Sequence, residues 1–515
     1  MTTKTGFLFR AVPRAYSLTV YWDKPETAGA SDRYRLRIGD RVIDGIDRTF
    51  AMIDGLDPDT EYSVELSLQR RTRTEPEALA AATFRTAIVK RMIDVTAAPY
   101  HAIGDGRTLS TDAIQRALDD CGQDEAVLIP AGVFLTGALR MRSHSELVLA
   151  EDATLQGSAD PRDYEPRVKA RFEGLEMECY ASLITVGELD HTVGCTTEDV
   201  TIRGKGSILG GGAELMHRVI DSERIRLRDE LARLGEAIHE YENADTIPGR
   251  VRPRLIDVNN TRGFTLDGLT VGRSSSWNIH MTYCEQVVTC GCTFESVGVW
   301  NGDGWDPDSS EDCVLFDCRF HTGDDMVAIK SGKNPEGNAI GRPTSHVRIF
   351  GCSSSSGHGV AIGSEMSGGV EDIRIWDCDF AACRYGIHIK GTAKRGGYVR
   401  DVTVRDCAIA AITIHAVSYN DDGEGAGSAP MFERYRFEHL DVLGRLRTEN
   451  GSDRPTTAIL IRGFDDPEHW VRDVTLRDIR LGAVPDGSGR IELANCRDVR
   501  MDGVSAVGVV TTKVD

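Results

Sequence analysis

The feature that most constrains the fold is a short repeat that recurs along most of the chain. Each unit is a run of β-forming residues that ends near a cysteine, a glycine or an aspartate. The units include Phe264–Gly268, Val287–Cys290, Cys313–Cys318, Val347–Cys352, Ile373–Cys378, Val402–Cys407, Val474–Asp478 and Val499–Gly503. Neighbouring units are commonly separated by the length of one solenoid coil, and such units bury their apolar faces only by stacking. The repeat therefore predicts a parallel β-helix.

Thirteen cysteines raise the alternatives of metal binding and of a disulfide framework. Most of them recur at the ends of the β-rich units, where a small apolar side chain can stack in the core. None has the Cys/His spacing that is typical of a metal site. An odd number spread over a long chain also fits reduced thiols better than disulfides. We therefore predict no metal site, no cofactor and a ladder of reduced cysteines.

A different pattern occupies the N-terminal part of the chain, from about Gly6 to Thr86. Its short segments alternate apolar and polar residues, as in Ser17–Trp22 and Tyr34–Ile38, which is typical of half-buried strands. We predict an all-β protein with a β-sandwich at residues 1–90 and the β-helix at residues 91–515.

The sandwich is similar to a fibronectin type III domain in one detail. Leu56–Tyr62, followed by Ser63–Leu66, resembles the tyrosine corner of those domains, in which the phenol ties a loop to the next strand. Trp22 is the expected core residue. Such modules more often space or stabilise a neighbour than bind a ligand, so we assign this one no chemistry.

Two segments have helical rather than strand-like spacing. Thr111–Leu118 begins with a plausible cap, so we expect a helix that covers the open N-terminal end of the solenoid. The charged stretch Glu214–Tyr241 also predicts a helix, with apolar positions at Leu227, Leu231, Leu234 and Ile238. It is either a wall at one end of a groove or a solvated surface helix.

The overall charge restricts the possible partners. Sixty basic and 80 acidic residues give a formal net charge of -20, which disfavours nucleic acid and anionic lipid as partners. An acidic substrate would therefore need a local basic pocket.

Location and assembly are less constrained by the sequence. Met1–Val12 lacks an apolar core of signal-peptide length, and no later segment is long enough to span a bilayer. We expect a cytoplasmic protein, or a secreted one if a leader was removed or export is non-standard. The number of subunits stays open.

Carboxylates are concentrated in two consecutive coils, in Asn301–Asp308 and in Thr322–Asp325. Adjacent coils place equivalent positions about 4.8 Å apart, so Asp303, Asp324 and Asp325 should share one patch. Like charges that close are costly unless they share a proton, bind a cation or perform acid/base chemistry. The alternative is that Asp and Gly merely form turns. The doublet beside Asp303 favours a functional cluster.

The next coils add His358 between two glycines, and then His388 and Lys390. A lone histidine between glycines is more often a turn residue, and a lone lysine is usually a surface charge. Because they follow the aspartates in successive coils, a functional role becomes the better interpretation. A histidine beside the acid pair can tune its protonation, and an ammonium can pair with a uronate carboxylate.

Four motifs in order along the chain resemble those of the polygalacturonase family, glycoside hydrolase family 28. They are Asn301–Asp303, Gly323–Asp325, Gly357–Gly359 and His388–Lys390. The resemblance covers roughly Ile93–Asp515. It extends to Val127–Gly132, Trp277–His280 and Ile329–Gly332. Ile362–Gly369 is similar to the bacterial exo-acting members, several of which also carry an N-terminal fibronectin-like domain.

The resemblance implies a right-handed parallel β-helix and exo-acting, inverting hydrolysis of α-1,4-linked galacturonate from pectin-derived oligomers or polymers. Asp324 would protonate the glycosidic oxygen, and Asp303 and Asp325 would activate water, with carboxyl groups about 6.5 to 9.5 Å apart. His358 would support the acid. The implied substrate-binding residues are Lys390, His388, Asn301, Lys330 and Arg342.

Two positions depart from the family pattern. Gly302 replaces the usual threonine or asparagine, which we expect to change local backbone freedom. His388 replaces an arginine that contacts the sugar carboxylate. Because arginine offers a permanently charged fork and histidine does not, Lys390 or another arginine such as Arg342 is expected to compensate.

Three rival interpretations stay open. A pectate lyase would share the β-helix and the acidic substrate but would pair calcium-binding carboxylates with a basic proton abstractor. A non-catalytic carbohydrate-binding or adhesive β-helix would use the aspartates only in turns. A third interpretation keeps the mechanism on a rhamnogalacturonan-type or other substituted oligosaccharide.

Overall fold

The computed structural model describes residues 7–71, 73, 75–241, 243–419, 423–447, 452–482, 490–504 and 508–514. The chain divides into two compact units, Met1–Met92 and Ile93–Asp515. Strands make up most of both units. In the part of the chain described above, no helix is both long and apolar enough to cross a membrane.

The first unit is a β-sandwich of two antiparallel sheets. Strand Ser17–Trp22 lies between Phe9–Pro13 and Phe50–Asp54, and the second sheet has the order Arg41–Ile46, Arg33–Ile38, Glu61–Gln69, Glu77–Arg85. Alternation along these strands directs the apolar residues inwards.

The centre of the sandwich and its corner agree with the sequence pattern. Trp22 is fully buried and meets Tyr34 edge to face, with ring centroids 5.3 Å apart. The Asp57 amide donates to the Tyr62 hydroxyl at 2.8 Å, which is the bond that the predicted tyrosine corner requires. The narrower assignment to the fibronectin type III class stays a prediction.

The second unit is a right-handed parallel β-helix, as predicted. Each coil contributes one strand to each of three columns, and parallel pairing runs up every column. The first column contains Arg91–Asp94, Glu125–Ile129, Glu146–Leu149, Thr197–Gly204, Thr261–Asp267, Glu285–Cys290, Glu311–Phe316, Thr344–Phe350, Val370–Trp376 and Tyr398–Arg405. These strands include most of the repeat units seen in the sequence.

The second column consists of shorter strands. It contains Asp105–Leu109, Gly132–Thr136, Ala153–Gly157, Ser207–Leu209, Thr270–Gly272, Thr293–Glu295, Arg319–His321, Ser353–Ser354, Asp379–Phe380 and Ala408–Ile409. Near the C-terminus, the long strands Met431–Val442, Val471–Leu481 and Arg490–Asp502 each continue through a corner.

The third column carries the residues on which the functional argument rests. It contains Leu139–Met141, Ile184–Val186, Ile256–Asn259, Ile279–Thr282, Trp305–Asp308, Val327–Ile329, Gly359–Ile362, Gly386–Thr392, Ala411–Val417, Ile459–Arg462 and Gly508–Val514. Two antiparallel hairpins lie outside the columns, Val168–Phe172 with Leu175–Cys179 and Arg445–Arg447 with Asp453–Pro455.

The Asp or Gly that precedes each recurrent cysteine marks the corner between the first two columns. Gly291, Asp317, Gly351, Asp377 and Asp406 all have φ between 53° and 64°, a left-handed conformation that Gly and Asp tolerate best. The cysteine that follows turns inwards, and its thiol donates to the carbonyl two residues earlier, as in Cys318 to Phe316 at 3.2 Å. None of the thirteen cysteines, all of which are described, forms a disulfide.

The predicted capping helix is present at Thr111–Asp120, and it buries Ile114, Ala117 and Leu118 in the solenoid core. The predicted long helix at Glu214–Tyr241 is broken instead. It consists of Gly212–Arg226, Arg228–Leu234 and a 3-10 segment, Gly235–Glu240. Other short helical segments are Pro161–Tyr164, Thr246–Gly249, Glu336–Ile340 and Pro467–His469.

The buried face of that broken helix also differs from the prediction. Leu215, Met216, Val219 and Ile220 are buried, whereas no residue of Arg228–Leu234 is. The first segment therefore packs as an amphipathic helix, and the second lies at the surface, because its apolar residues are too few to make a continuous stripe.

Candidate active site

The site is built on five consecutive coils of the third column. Ile279, Trp305, Val327, Val360 and Ile387 are in register and fully buried in the core. Two residues before each of them lies a residue of the site, at the entry to the strand. These residues are, in coil order, Trp277, Asp303, Asp325, His358 and Tyr385. The solenoid thus stacks into one ladder side chains that are far apart in the sequence.

Lys330 is the counter-ion at the base of this ladder. Its ammonium lies 3.3 Å from Asp303 Oδ2 and 3.1 Å from Asp306 Oδ2, and it is 3.5 Å from the centre of the Trp277 ring. Lys330 is 4% exposed, so it lies in the wall of the site. This position differs from the direct substrate-binding role that the resemblance implied.

Two carboxylates share that single ammonium, which leaves an excess of negative charge. Burial, reinforced by the Asp306 carboxylate, raises the pKa of Asp303 well above its usual range. Burial also raises the pKa of Asp306 to about 6, although the Lys330 ammonium opposes this shift. The pair can therefore hold a proton near neutral pH.

His358 joins the two members of the aspartate doublet. Its Nδ1 lies 3.0 Å from Asp324 Oδ1 and 3.3 Å from Asp325 Oδ1. Burial lowers the pKa of His358, but the hydrogen bonds to both carboxylates outweigh burial and raise the pKa to about 10. Burial raises the pKa of Asp324, but the His358 hydrogen bond and the charges of His358, Lys390 and Lys330 together outweigh burial, so that the net shift is downward. His358 is therefore an imidazolium held between the two acids.

The same three residues offer ligand atoms within 4.8 Å of one another, a spacing that fits a metal ion. A protonated imidazole has no lone pair for a metal, and the Lys390 ammonium lies 3.7 Å from Asp325 Oδ2. The local charge therefore favours acid/base chemistry over a cation at this point.

Lys390 lies where the sequence placed it, at the edge of the acids. Its side chain is 15% exposed and pairs with Asp325. Burial lowers the pKa of Lys390, but the negative charges around it, Asp325 first among them, together outweigh burial and the net shift is upward. Lys390 is thus a permanent cation beside the aspartate doublet.

His388 does not replace the missing arginine. It is 6% exposed, and its Nε2 lies 2.8 Å from the Nε2 of His415. Burial, together with the charge of Lys390, lowers the pKa of His388 to about 2. A neutral ring cannot pair ionically with a uronate carboxylate, so the predicted contact reduces to a hydrogen bond at most.

Asn301 and Arg342 are held by other partners. Asn301 Oδ1 accepts from Arg252 Nη2 at 2.6 Å, so this asparagine joins the loop before Asp303 to a buried arginine. Arg342 Nη2 donates to the Tyr283 carbonyl at 3.4 Å and lies 3.9 Å from Glu285. The structure does not bring Arg342 into contact with the acidic cluster. It therefore does not support the prediction that Arg342 takes over the role of the arginine that His388 replaces.

Position 302 is a glycine because there is no room for a side chain, and not because the backbone there needs the conformational freedom of glycine. A Cβ there would lie 2.7 Å from the Ser296 carbonyl oxygen and 2.9 Å from that of Val299. The backbone of the Ser296–Asn301 loop approaches too closely for the threonine or asparagine that the family pattern has at this position.

A buried shell behind the acids was missed at the sequence level. Phe172, from the hairpin Val168–Phe172, stacks on Trp277 with centroids 4.8 Å apart. Arg171 of the same hairpin pairs with Asp308 at 2.8 Å, and His280 lies 3.3 Å from the other oxygen of Asp308. The charged residues in Trp305–Asp308 were a visible signal for Asp306 and Asp308, but nothing in the sequence identified the hairpin as their partner.

The parallel β-helix thus brings paired carboxylates, a histidine and a cation together in one site. Comparison with known proteins points to one family for this part of the chain. Residues 192–426 match the family described as Glycosyl hydrolases family 28. The carboxylates, the histidine and the cation of the site all lie within that matched segment.

Two relatives illustrate the similarity in sequence. A probable polygalacturonase of Vitis vinifera is 31% identical over 333 residues, covering 62% of this chain and 61% of the relative. An exo-poly-alpha-D-galacturonosidase of Dickeya chrysanthemi is 25% identical over 454 residues, covering 84% of this chain and 74% of the relative. The chain thus spans less than two thirds of the first relative's length.

Solved structures extend the similarity over both units. The family 28 exopolygalacturonase of Yersinia enterocolitica matches with a TM-score of 0.82 over 98% of each chain, at 20% identity. The exopolygalacturonase of Thermotoga maritima matches with a TM-score of 0.62 at 25% identity, covering 80% of this chain and 92% of that one. The first match concerns the fold alone.

Proposed function

We propose that this protein hydrolyses the α-1,4 bond of galacturonate oligomers or polymers from the chain end. The observation that carries the proposal is the contact between His358 and the Asp324–Asp325 pair, one coil from the buried Asp303. The names of the Dickeya and Thermotoga relatives support exo-acting hydrolysis of polygalacturonate.

Asp324 is the acid in this proposal because it is the accessible member of the set. Its side chain is 29% exposed, whereas those of Asp303 and Asp325 are 6% and 7% exposed. In the free protein His358 lowers the pKa of Asp324. An anionic sugar bound beside it acts in the opposite direction, because like charges favour the protonated form. Substrate binding thus raises the pKa of Asp324 and favours its protonated, proton-donating form.

Asp303 and Asp325 activate the attacking water from the opposite side of the sugar, with inversion. In register on adjacent coils, they lie about 4.8 Å apart along the ladder. Lys330 holds Asp303, and Lys390 holds Asp325. These two ammonium groups keep the carboxylates oriented towards a shared water.

Product analysis tests the proposal. Defined galacturonate oligomers are incubated with the protein, without and with added calcium. Saturated mono- or digalacturonate as the first product supports exo-hydrolysis. Unsaturated, calcium-dependent products would indicate a lyase instead. Intact substrate would point to another sugar or to a binding role.

A cytoplasmic location, in which the protein acts on imported oligosaccharides, stays part of the proposal. The thirteen cysteines, none of which is in a disulfide, support a reducing compartment. Cell fractionation tests it, and recovery of the protein in the medium would contradict it.

A further inference from the structure

The geometry points to Arg384 as the residue that, together with Lys390, binds the carboxylate of the substrate. This inference rests on the proposed function and identifies the cation that the neutral His388 does not supply.

The acidic residues already pair with the cations nearest to them. Lys330 is buried between Asp303 and Asp306, and His358 is held between Asp324 and Asp325. His388 and His415 are bound to each other through their Nε2 atoms. Lys390 keeps a free face, but it is shared with Asp325. A polyanionic substrate therefore needs a further cation at this face.

Arg384 has the surroundings that such a cation requires. It is exposed, and its guanidinium carbon lies 5.3 Å from the centre of the Tyr385 ring. Among the described residues, no carboxylate forms an ion pair with it. Exposed arginines of this chain commonly have an acidic partner, as Arg85 has Asp59 and Arg434 has Asp401. A guanidinium fork without an acidic partner is suited to bind a carboxylate in a bidentate manner.

Tyr385 connects Arg384 to the catalytic ladder. The Tyr385 ring meets His358 edge to face, with centroids 5.5 Å apart, and lies 4.3 Å from the His388 ring. The backbone amide of Arg384 donates to the Gly357 carbonyl at 2.7 Å. Arg384 therefore lies beside the coil that carries His358.

Gly357 lies between Asp324 and Arg384 along the solenoid. Three residues before the register positions Val327, Val360 and Ile387 lie Asp324, Gly357 and Arg384. Asp324 and Arg384 are thus two coils apart, about 10 Å along the solenoid. A Cβ on Gly357 would lie 2.3 Å from Thr322 Oγ1 and 2.5 Å from the Asp324 carbonyl oxygen, so this position packs tightly against the coil that carries the acid. The intermediate position of the row therefore carries no side chain.

The test measures substrate binding separately from turnover. Asp324→Asn protein, with and without Arg384→Gln, is titrated with digalacturonate and with the neutral disaccharide galactobiose by calorimetry. Loss of a charge-assisted hydrogen bond predicts affinity for digalacturonate about 10- to 100-fold weaker, and little change for galactobiose. In a variant that keeps Asp324, Arg384→Gln should raise KM by the same factor and leave kcat within several-fold of that of the parent protein.

Two further variants make the test specific. Arg319→Gln, an exposed arginine of the second column, is the matched control and should leave both parameters unchanged. If Arg384→Gln binds and cleaves like Arg319→Gln, or if His388→Gln alone removes the affinity, the inference is wrong while the proposed function stands. A parent protein that neither binds nor cleaves galacturonate oligomers overturns the proposed function, and this inference with it.

Discussion

The Nδ1 of His358 lies 3.0 Å from the Oδ1 of Asp324. The two residues belong to adjacent coils, and the His358 amide also donates to the Asp324 carbonyl at 3.0 Å. The contact makes the histidine a cation and the aspartate a stronger acid in the free protein.

Replacing Asp324 by asparagine should remove the proton donor and leave the fold intact. A positioned proton transfer contributes about 10² to 10⁴ in rate, so kcat on galacturonate oligomers should fall by at least that factor. The protein should still fold, since His358 keeps its contact with Asp325, although the melting temperature should fall because the ion pair with Asp324 is lost. Asp229→Asn, at a surface position with 89% exposure, should keep parental kcat. An active Asp324→Asn protein would assign the acid role to another residue.

Stability should depend on pH through His358. Its pKa is about 10 in the folded protein and about 6.5 in an unfolded chain. Because the folded pKa is the higher one, the stabilisation is complete below about pH 6.5 and is lost as the pH rises towards 10. The difference in melting temperature between the protein and His358→Gln should therefore shrink across that range in calorimetry. A difference that is constant with pH would contradict the contact.

Loss of the Lys330 charge should destabilise the β-helix. In Lys330→Met, the two buried carboxylates of Asp303 and Asp306 lose their counter-ion, and breaking a buried pair costs about 3 to 5 kcal/mol. Denaturant unfolding measures this free energy. Lys205→Met removes an exposed ammonium that lies 3.7 Å from Glu151. Its free energy of unfolding should stay within about 0.5 kcal/mol of that of the parent. Equal stability of the two variants would show that Lys330 is not the counter-ion.

The stability of the sandwich should depend on the hydroxyl of one half-buried tyrosine, Tyr62. In Tyr62→Phe, the bond from the Asp57 amide is lost, and a hydrogen bond of this kind contributes about 0.5 to 1.5 kcal/mol. The unfolding transition of the Met1–Met92 unit, followed by Trp22 fluorescence, should shift to lower denaturant. Tyr16→Phe removes the hydroxyl of a tyrosine that is 59% exposed and should leave the transition in place. Identical transitions in both variants would contradict the tyrosine corner.

The sequence by itself determined the solenoid, its sandwich neighbour and the acidic centre of the site. The repeat units and their Asp or Gly corners are local features, because a left-handed corner selects these residues wherever it occurs. Asp303, Asp324, Asp325 and His358 could likewise be recognised, since equivalent positions on successive coils must stack.

The partner of each charged side chain could be identified only from the folded structure. Lys330 pairs inwards with Asp303 and Asp306, and His388 stays neutral beside His415, because burial and the nearest charges set the state of each group. The hairpin that carries Phe172 reaches Trp277 from more than 100 residues away in the chain. Such contacts have no periodic signature in the sequence, so the cation left free for the substrate, Arg384, becomes visible only once the others are assigned.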